Sequence, residues 1–295
     1  MATAILGTAY PTAPMRLLIT GAAGMLAHDV TDAARAAGHE PVALSRAELD
    51  ITDRAAVRNA VDSASAECVI NCAAFTDVDG CESREDEAHA VNGTGAGSLA
   101  AAAAAAGAWT LHVSSDYVFD GTKSRPYVET DPVRPMSAYG RSKLAGESAV
   151  AEAAPGRHTI VRSSWLFGAH GRSFPATILR LAGERDQLTV VDDQVGCPTF
   201  TGHLGRALIE LAERCPAGIV HVAGAGQCSW FEFAREIVRV SGRDCDVVPG
   251  KTADLARPAP RPAYSVLGTE RPADAPRLAP WQEGLAEFMT LQVAS

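Results

Sequence analysis

Short apolar runs alternate with longer segments of helical period through the first half of the chain. Met15-Arg-Leu-Leu-Ile-Thr20 is patterned as a buried strand that ends on glycine. A helical stretch follows from Leu26 to Ala37 and closes at Gly38. Pro41-Val-Ala-Leu-Ser45, Cys68-Val-Ile-Asn-Cys72, Thr110-Leu-His-Val-Ser114 and His158-Thr-Ile-Val-Arg162 read as further strands, with helices over 54–64, 84–106 and 138–153. Strands and helices alternating at this spacing predict repeated β-α-β units, hence an α/β fold with a doubly wound parallel sheet and helices on both faces.

Beyond about residue 165 the alternation loosens. Helical patterns over 174–184, 202–213 and 229–241 are separated by loops and short strands such as Gly218-Ile-Val-His-Val222. Ser229 is placed to cap the last of these, with Glu232 at the third helical position. The segment 256–280 is dense in proline and arginine and reads as extended chain. The expected division is a leader over 1–14 without order, a dinucleotide-binding half over 15–165 with part of the sheet extending later, and a smaller substrate lobe over 166–295. The alanine run Ala100–Ala106 reads as a helix face packed close to the sheet.

Composition narrows the function classes more than the fold. The chain has 295 residues, 47% of them apolar and 21% charged, an ordinary globular mixture long enough for one or two domains. Twenty-six basic residues against 35 acidic ones give a net charge of −9. That balance argues against a nucleic-acid partner, which needs a basic face. Seven cysteines (Cys68, Cys72, Cys81, Cys197, Cys215, Cys228 and Cys245) include no C-x-x-C pair. An odd count without that spacing points to reduced thiols in the cytoplasm, not to a disulfide framework or a zinc site. The longest apolar stretch, Leu99–Trp109, has about half the ~20 residues of a membrane span. The N-terminus lacks the basic start and apolar run of a secretory signal.

Two motifs carry the chemistry. Gly21-Ala-Ala-Gly24, with Ala27 three positions further, sits between the first strand and the first helix. Glycine there lets the backbone approach a pyrophosphate, which then rests on the helix N-terminus. Gly21, Ala23, Gly24, Met25 and Leu26 are therefore the expected cofactor turn. Sites for NAD usually place a carboxylate at the end of the second strand, but this strand ends Leu44-Ser45-Arg46. A guanidinium suits a 2′-phosphate, so Ser45 and Arg46 predict NADPH as the preferred cofactor, with NADH accepted less well. Asp50 and Ile51 are the expected neighbours of the adenine.

The second motif is Tyr139-x-x-x-Lys143, in Ser137-Ala-Tyr-Gly-Arg-Ser-Lys143. Positions i and i+4 share a helix face, so phenol and ammonium can serve one site, the ammonium drawing the phenol below its ordinary value of about 10. Val113-Ser-Ser-Asp-Tyr-Val-Phe119 ends a buried strand and delivers Ser115 where ligands sit in open α/β sheets.

Together these residues resemble the extended short-chain dehydrogenase/reductase family, and within it the dTDP-4-dehydrorhamnose reductase branch. The narrower resemblance rests on Asn71-Cys-Ala-Ala-Phe-Thr-Asp-Val-Asp79, Val113–Gly121, Tyr139–Glu147, Val161-Arg-Ser-Ser-Trp-Leu-Phe167, Asp193-Gln-Val-Gly-Cys-Pro-Thr199 and Arg261-Pro-Ala-Tyr-Ser-Val-Leu267, and runs from Met15 to the C-terminal region. It implies a Rossmann-type fold and NAD(P)H-dependent reduction of the C4 keto group of a dTDP-4-keto-6-deoxy-L-sugar. Ser115 would hold the keto oxygen and Tyr139 would protonate it. Lys143 would bind the nicotinamide ribose and depress the phenol. Ala73 and Ala74 would line the cofactor cleft, with Asn92 in a structural or proton-relay role. Asp116, Trp165 and Arg261 would meet the substrate.

Ala27 in place of glycine, Phe75 in the N-x-A-A block and Gly268-Thr269 depart from the branch pattern and bear on sugar specificity. The branch includes monomers and homodimers, some with an interfacial Mg2+; no catalytic metal is expected. Three other functions fit similar motifs: a 4-keto sugar reductase of antibiotic biosynthesis such as a dihydrostreptose synthase, a sugar-nucleotide 4-epimerase, and a non-catalytic regulatory subunit. The last typically loses part of the Ser115, Tyr139 and Lys143 set.

Overall fold

The computed structural model describes residues 13–293. Residues 1–12 of the expected leader lie outside the described residues.

The first half runs β1 (Arg16–Thr20), α1 (Met25–Ala36), β2 (Glu40–Leu44), α2 (Arg54–Ala64) and β3 (Cys68–Asn71). It continues with α3 (Val78–Ser83), α4 (Glu85–His89), a π-helical turn (Ala90–Gly95), α5 (Ala96–Ala105), β4 (Trp109–Ser115), α6 (Ala138–Ala153) and β5 (His158–Ser163). The second half contains β6 (Leu166–Phe167), α7 (Phe174–Ala182), β7 (Gln187–Val191), β8 (Val195–Gly196), β9 (Thr199–Phe200) and α8 (Thr201–Arg214). After these come β10 (Gly218–His221), β11 (Cys228–Ser229), α9 (Trp230–Ser241), β12 (Asp246–Gly250) and α10 (Trp281–Val293).

Six strands form one parallel sheet in the order β10-β5-β4-β3-β1-β2, so the α/β expectation holds and the late strand Gly218–His221 completes the sheet. The alternation of side chains along β1 shows why both faces are covered. Leu17 and Ile19 join a core with α1 and α8, whereas Leu18 joins one with α2 and α5. The alanine run lies on α5, where Ala96 and Ala100 pack with Val150 of α6 over Ile160 of β5. Residues of β6, α7, β9, α9 and α10 build a separate core around Phe167, Phe200, Phe233, Trp281 and Phe288. Ser229 caps α9 with the reciprocal Glu232 bond, as its sequence predicts.

Three elements differ from expectation. The helix over 84–106 runs from Glu85 to Ala105 but widens midway, where Asn92 is pulled into the fold: its side chain accepts from the Phe75 N–H (2.7 Å) and donates to the Phe75 carbonyl (3.0 Å) and Ser142 Oγ (2.8 Å). The backbone accommodates this with the π turn Ala90–Gly95. The parallel pair β7–β12 joins strands more than fifty residues apart, a pairing invisible to local pattern. Helix α10 follows the proline-rich segment and buries Trp281, Leu285 and Phe288.

Candidate active site

The chain moves from β1 to β2 on one side and then returns to place β3 on the other. This leaves a crevice at the carboxyl ends of the strands. A cleft of about 920 Å³ opens there. Its floor is the turn after β1. Gly21 has φ of +77°, and a Cβ on it would stand 2.9 Å from the Ala73 N and Cα, so the turn and the β3 end fit only with glycine. The Gly24 N–H closes the turn on the Gly21 carbonyl at 2.8 Å. Helix α1 starts at Met25 without a side-chain cap, so its first amides face the cleft unclaimed.

The cleft gathers most of the expected site. Gly21, Ala23, Gly24, Met25, Leu26, Arg46, Asp50, Ile51, Ala73 and Ala74 line it, as do Ser115, Asp116, Tyr139, Lys143 and Trp165. Two residues are placed otherwise. Ser45 gives both its N–H (2.8 Å) and its hydroxyl (2.7 Å) to Glu48. Arg261 turns to Asp79 with two bonds of 3.1 and 3.0 Å and to the Ala259 carbonyl at 2.9 Å, and does not line the cleft. Arg46 stands near Asp50, whose carboxyl is held below its usual range by the Thr52 N–H and hydroxyl, with a smaller contribution from the guanidinium.

Helix α6 sets the reactive side chains. Ser137 caps it through the Gly140 N–H at 3.1 Å, which places Tyr139 in the first turn and Lys143 one turn on. Ser115 Oγ accepts from the Tyr117 N–H at 3.1 Å and lies 2.9 Å from Asp116 Oδ1. The Tyr139 phenol faces the Ser115 hydroxyl, and its ring meets that of Tyr117 edge-on at 5.5 Å. Burial pushes the Tyr139 phenol up; the Ser115 hydroxyl opposes this, and Asp116 and Tyr117 add to it.

The expected help from Lys143 is not what holds that phenol. The Lys143 ammonium is buried and donates to the Val113 carbonyl at 2.7 Å. Burial lowers it to about 8 against the opposing charge of Glu147. Glu147 is itself nearly inaccessible. It accepts from Arg162 at 2.9 and 2.7 Å and from Ser114 Oγ at 2.6 Å, so one ion pair braces α6, β4 and β5 beneath the cleft.

Trp165 adopts φ of +48°, costly for a non-glycine residue and found where the surroundings enforce it. Here Trp230 stacks on its ring at 3.5 Å and 4°, while Gly196 leaves room on the same ring: a Cβ there would fall 2.4 Å away. Trp230, Ser163, Arg84, His170 and Arg172 also line the cleft and were not foreseen. Ser163 had a readable signal, since it ends β5 in register with Ser115. Its hydroxyl is buried without a partner, a polar group left for a ligand. The cleft places Arg46, Arg84, Lys143 and Arg172 against Asp50, Asp77 and Asp116, an excess of one cation in an acidic protein, with Arg84 paired to Asp77. All seven cysteines are free thiols. Among the described residues, no group of three or more His, Cys, Asp and Glu side chains is disposed to hold a metal ion, and no helix is long and apolar enough to cross a membrane.

Residues 15–293 match the RmlD substrate binding domain family. A dTDP-4-dehydrorhamnose reductase from Streptomyces griseus is 45% identical, with 92% of both chains aligned. A dTDP-4-keto-6-deoxy-D-glucose reductase from Streptomyces niveus is 40% identical over 94% of this chain and 97% of its own. The crystal structure of a Bacillus anthracis dTDP-4-dehydrorhamnose reductase in complex with NADP superposes with a TM-score of 0.91 at 35% identity, covering 94% of this chain and 99% of that one.

Proposed function

The chain belongs to the RmlD substrate binding domain family, and on that premise we propose that it reduces the C4 keto group of a dTDP-4-keto-6-deoxy-L-sugar, with dTDP-L-rhamnose as the product. The observation that carries this is the convergence, in one cleft, of the Gly21–Leu26 turn with Ser115, Tyr139 and Lys143. The cleft suits a nicotinamide dinucleotide. The glycine cradle at Gly21, the uncapped amides of α1 and the cations beside them provide for its phosphates, and the Ser163 hydroxyl is left for a polar ligand group. When bound, the reduced nicotinamide supplies a hydride.

Gly21, Ala23, Gly24, Met25 and Leu26 would hold the pyrophosphate, Asp50, Ile51, Ala73 and Ala74 the adenosine side, and Lys143 the nicotinamide ribose. Ser115 would hold the keto oxygen and Tyr139 give it a proton as negative charge develops. Burial holds the phenol in its protonated form, the state from which it gives a proton, while making it a weaker acid than an ordinary tyrosine. Asp116 and Trp165 would flank the sugar nucleotide. Arg46 is the cleft cation at the end of β2 and would read a 2′-phosphate, so NADPH is the cofactor in this reading.

The test is NADPH oxidation with dTDP-4-dehydro-L-rhamnose, run beside dTDP-4-keto-6-deoxy-D-glucose because the relatives carry both names. Tyr139→Phe is expected to lower kcat/KM by at least ~100-fold, the usual size of general acid catalysis. Full activity in that variant would remove the role given to the phenol. Arg46→Ala should move the NADPH-to-NADH preference toward NADH; an unchanged ratio overturns the assignment of Arg46.

A further inference from the structure

The block Asp193-Gln-Val-Gly-Cys-Pro-Thr199 has no task in the reaction described above, and its contacts converge on Trp165. The Thr199 N–H donates to the Trp165 carbonyl at 3.1 Å, and the Ser164 hydroxyl donates to the Cys197 carbonyl at 2.8 Å. Gly196, from the same block, lies against the indole. A Cβ on Gly196 would stand 2.4 Å from Trp165 Cε2, 2.6 Å from Nε1 and 2.7 Å from Cζ2. A position beside the ring would be nearest a rim atom. This one is nearest a ring-fusion carbon, so Gly196 covers the ring face. Trp230 covers the other face, its plane within 4° of parallel and its centroid 3.5 Å away.

We infer that Gly196 and Trp230 are positioning residues that clamp the Trp165 indole edge-on to the cleft, where it meets the sugar of the substrate and not its base. This rests on the reductase reading above. With both faces covered, only the edge of the indole is left for a ligand. A nucleobase stacks on a ring face, whereas the ring edge carries the positive end of the aromatic quadrupole and suits oxygen atoms. Trp165 follows Ser163 by two residues, and Ser163 is in register with Ser115 across β4 and β5. The indole therefore stands on the side of the cleft where the keto group would be held, and Trp165, Trp230 and Ser115 all line that cleft.

Both jaws of the clamp come from one short ladder. Strands β8 and β11 pair Gly196 with Cys228 and Val195 with Ser229, and Trp230 is the next residue in the chain. Phe174 packs on Trp230 at 4.5 Å, tying that jaw to the second core. The geometry they impose is one that free side chains avoid. Aromatic pairs favour offset or edge-to-face arrangements over direct face-to-face stacking. Trp165 also holds φ of +48°, which persists only where the surroundings dictate it. Two unfavourable geometries thus coincide on one half-buried residue of the cleft, as expected where a side chain is held for a ligand.

The experiment measures calorimetric binding of dTDP and of dTDP-L-rhamnose, each with NADP+ present, to the wild type, Trp165→Ala, Trp230→Ala, Trp230→Phe and the double alanine variant. Trp230→Ala should weaken dTDP-L-rhamnose about tenfold and leave dTDP within about twofold. Trp230→Phe keeps a ring on that face of the indole and should restore most of the loss. In the Trp165→Ala background, Trp230→Ala should have no further effect, because its influence passes through Trp165. An equal loss for dTDP and dTDP-L-rhamnose overturns the proposal, and so does an undiminished effect of Trp230→Ala when Trp165 is absent. A second readout needs no ligand. The four tryptophans, labelled with fluorotryptophan, give separate fluorine resonances, and that of Trp165 is the one missing from Trp165→Phe. It should move in Gly196→Ala; an unmoved resonance overturns the clamp. If Gly196→Ala does not fold, the binding series on Trp230 decides the matter alone. A wild type that binds neither nucleotide strikes at the reductase reading, and the fluorine resonance then still decides the clamp.

Discussion

Replacing Arg162 by Met tests how much of the site depends on the ion pair beneath it. Arg162 and Glu147 side chains are only 3% and 4% exposed, and the carboxylate takes two of its three hydrogen bonds from the guanidinium. Arg162→Met leaves that carboxylate in the core with Ser114 as its remaining hydrogen-bond donor and the Lys143 ammonium as its nearby cation. Removing one partner of a buried pair costs about 3–5 kcal/mol. At roughly 2–4 °C per kcal/mol for chains of this size, the melting temperature should fall by roughly 6–20 °C. Glu147→Leu should also destabilise, because it strands a guanidinium whose remaining neighbours are His221 Nε2 at 3.4 Å and the Phe119 ring at 5.1 Å. The double variant replaces the pair by apolar volume and should recover much of the loss, giving a coupling energy of about 2 kcal/mol or more in a double-mutant cycle. Thermal and urea unfolding of the four proteins at neutral pH measures this. Additive single losses would refute the reasoning. The same cycle has a functional arm: Glu147 opposes the effect of burial on Lys143, so its removal should lower the Lys143 value further below about 8.

Gly21→Ala should impair both folding and cofactor binding, since a left-handed φ costs an L residue about 1–2 kcal/mol and the new Cβ would meet the Ala73 backbone at 2.9 Å; an unchanged Tm together with an unchanged NADPH Kd refutes this. Asp131 accepts from Lys123, from Arg125 at 3.1 Å and from the Val128 N–H at 2.9 Å, and these outweigh its burial to hold it at about 2. Its folded value lies below its unfolded one, so its stabilisation is present above pH ~4 and is lost as pH falls toward 2. Acid unfolding followed by circular dichroism should show Asp131→Asn less stable at neutral pH and with a shallower slope between those limits. An identical slope would remove this residue from the acid response.

The central sheet was legible because its information is local. Five strands of the sheet are short apolar runs ending on the residues that later form the cleft, and their spacing allows few connections besides right-handed crossovers. What was hidden lies in pairings over long separations. Nothing near Gln187–Val191 announces Asp246–Gly250 as its partner, and the segment that carries Arg257 and Arg261 to Asp79 is proline-rich chain with no period to read. The π turn within the helix over 84–106 has another cause. Ala90–Gly95 is rich in weak helix formers, with two glycines among six residues, and Asn92 is drawn to Phe75 by bonds that exist only once α3, α4 and α6 are assembled. Weak local propensity and tertiary hydrogen bonding act together there.

The site divides along the same line, with one addition. Contiguous motifs such as Gly21–Leu26 and Tyr139–Lys143 arrive in one cleft because strand ends and helix faces are fixed by spacing. Trp230 and Arg172 come from the second half and carry no such mark. Spacing also says which groups share a face but not where their hydrogens point. Tyr139 and Lys143 stand one turn apart as expected, yet the ammonium bonds the Val113 carbonyl, and the phenol answers to Ser115 and Asp116 instead. Asp116 is adjacent to Ser115 in sequence, but the 2.9 Å bond between its carboxyl and the Ser115 hydroxyl is visible only in the structure. The chemistry of this cleft is therefore set by the direction of a few hydrogen bonds among residues whose positions the sequence had already specified. A substitution that preserves position while reversing donor and acceptor, such as Asp116→Asn, probes that layer more sharply than any truncation.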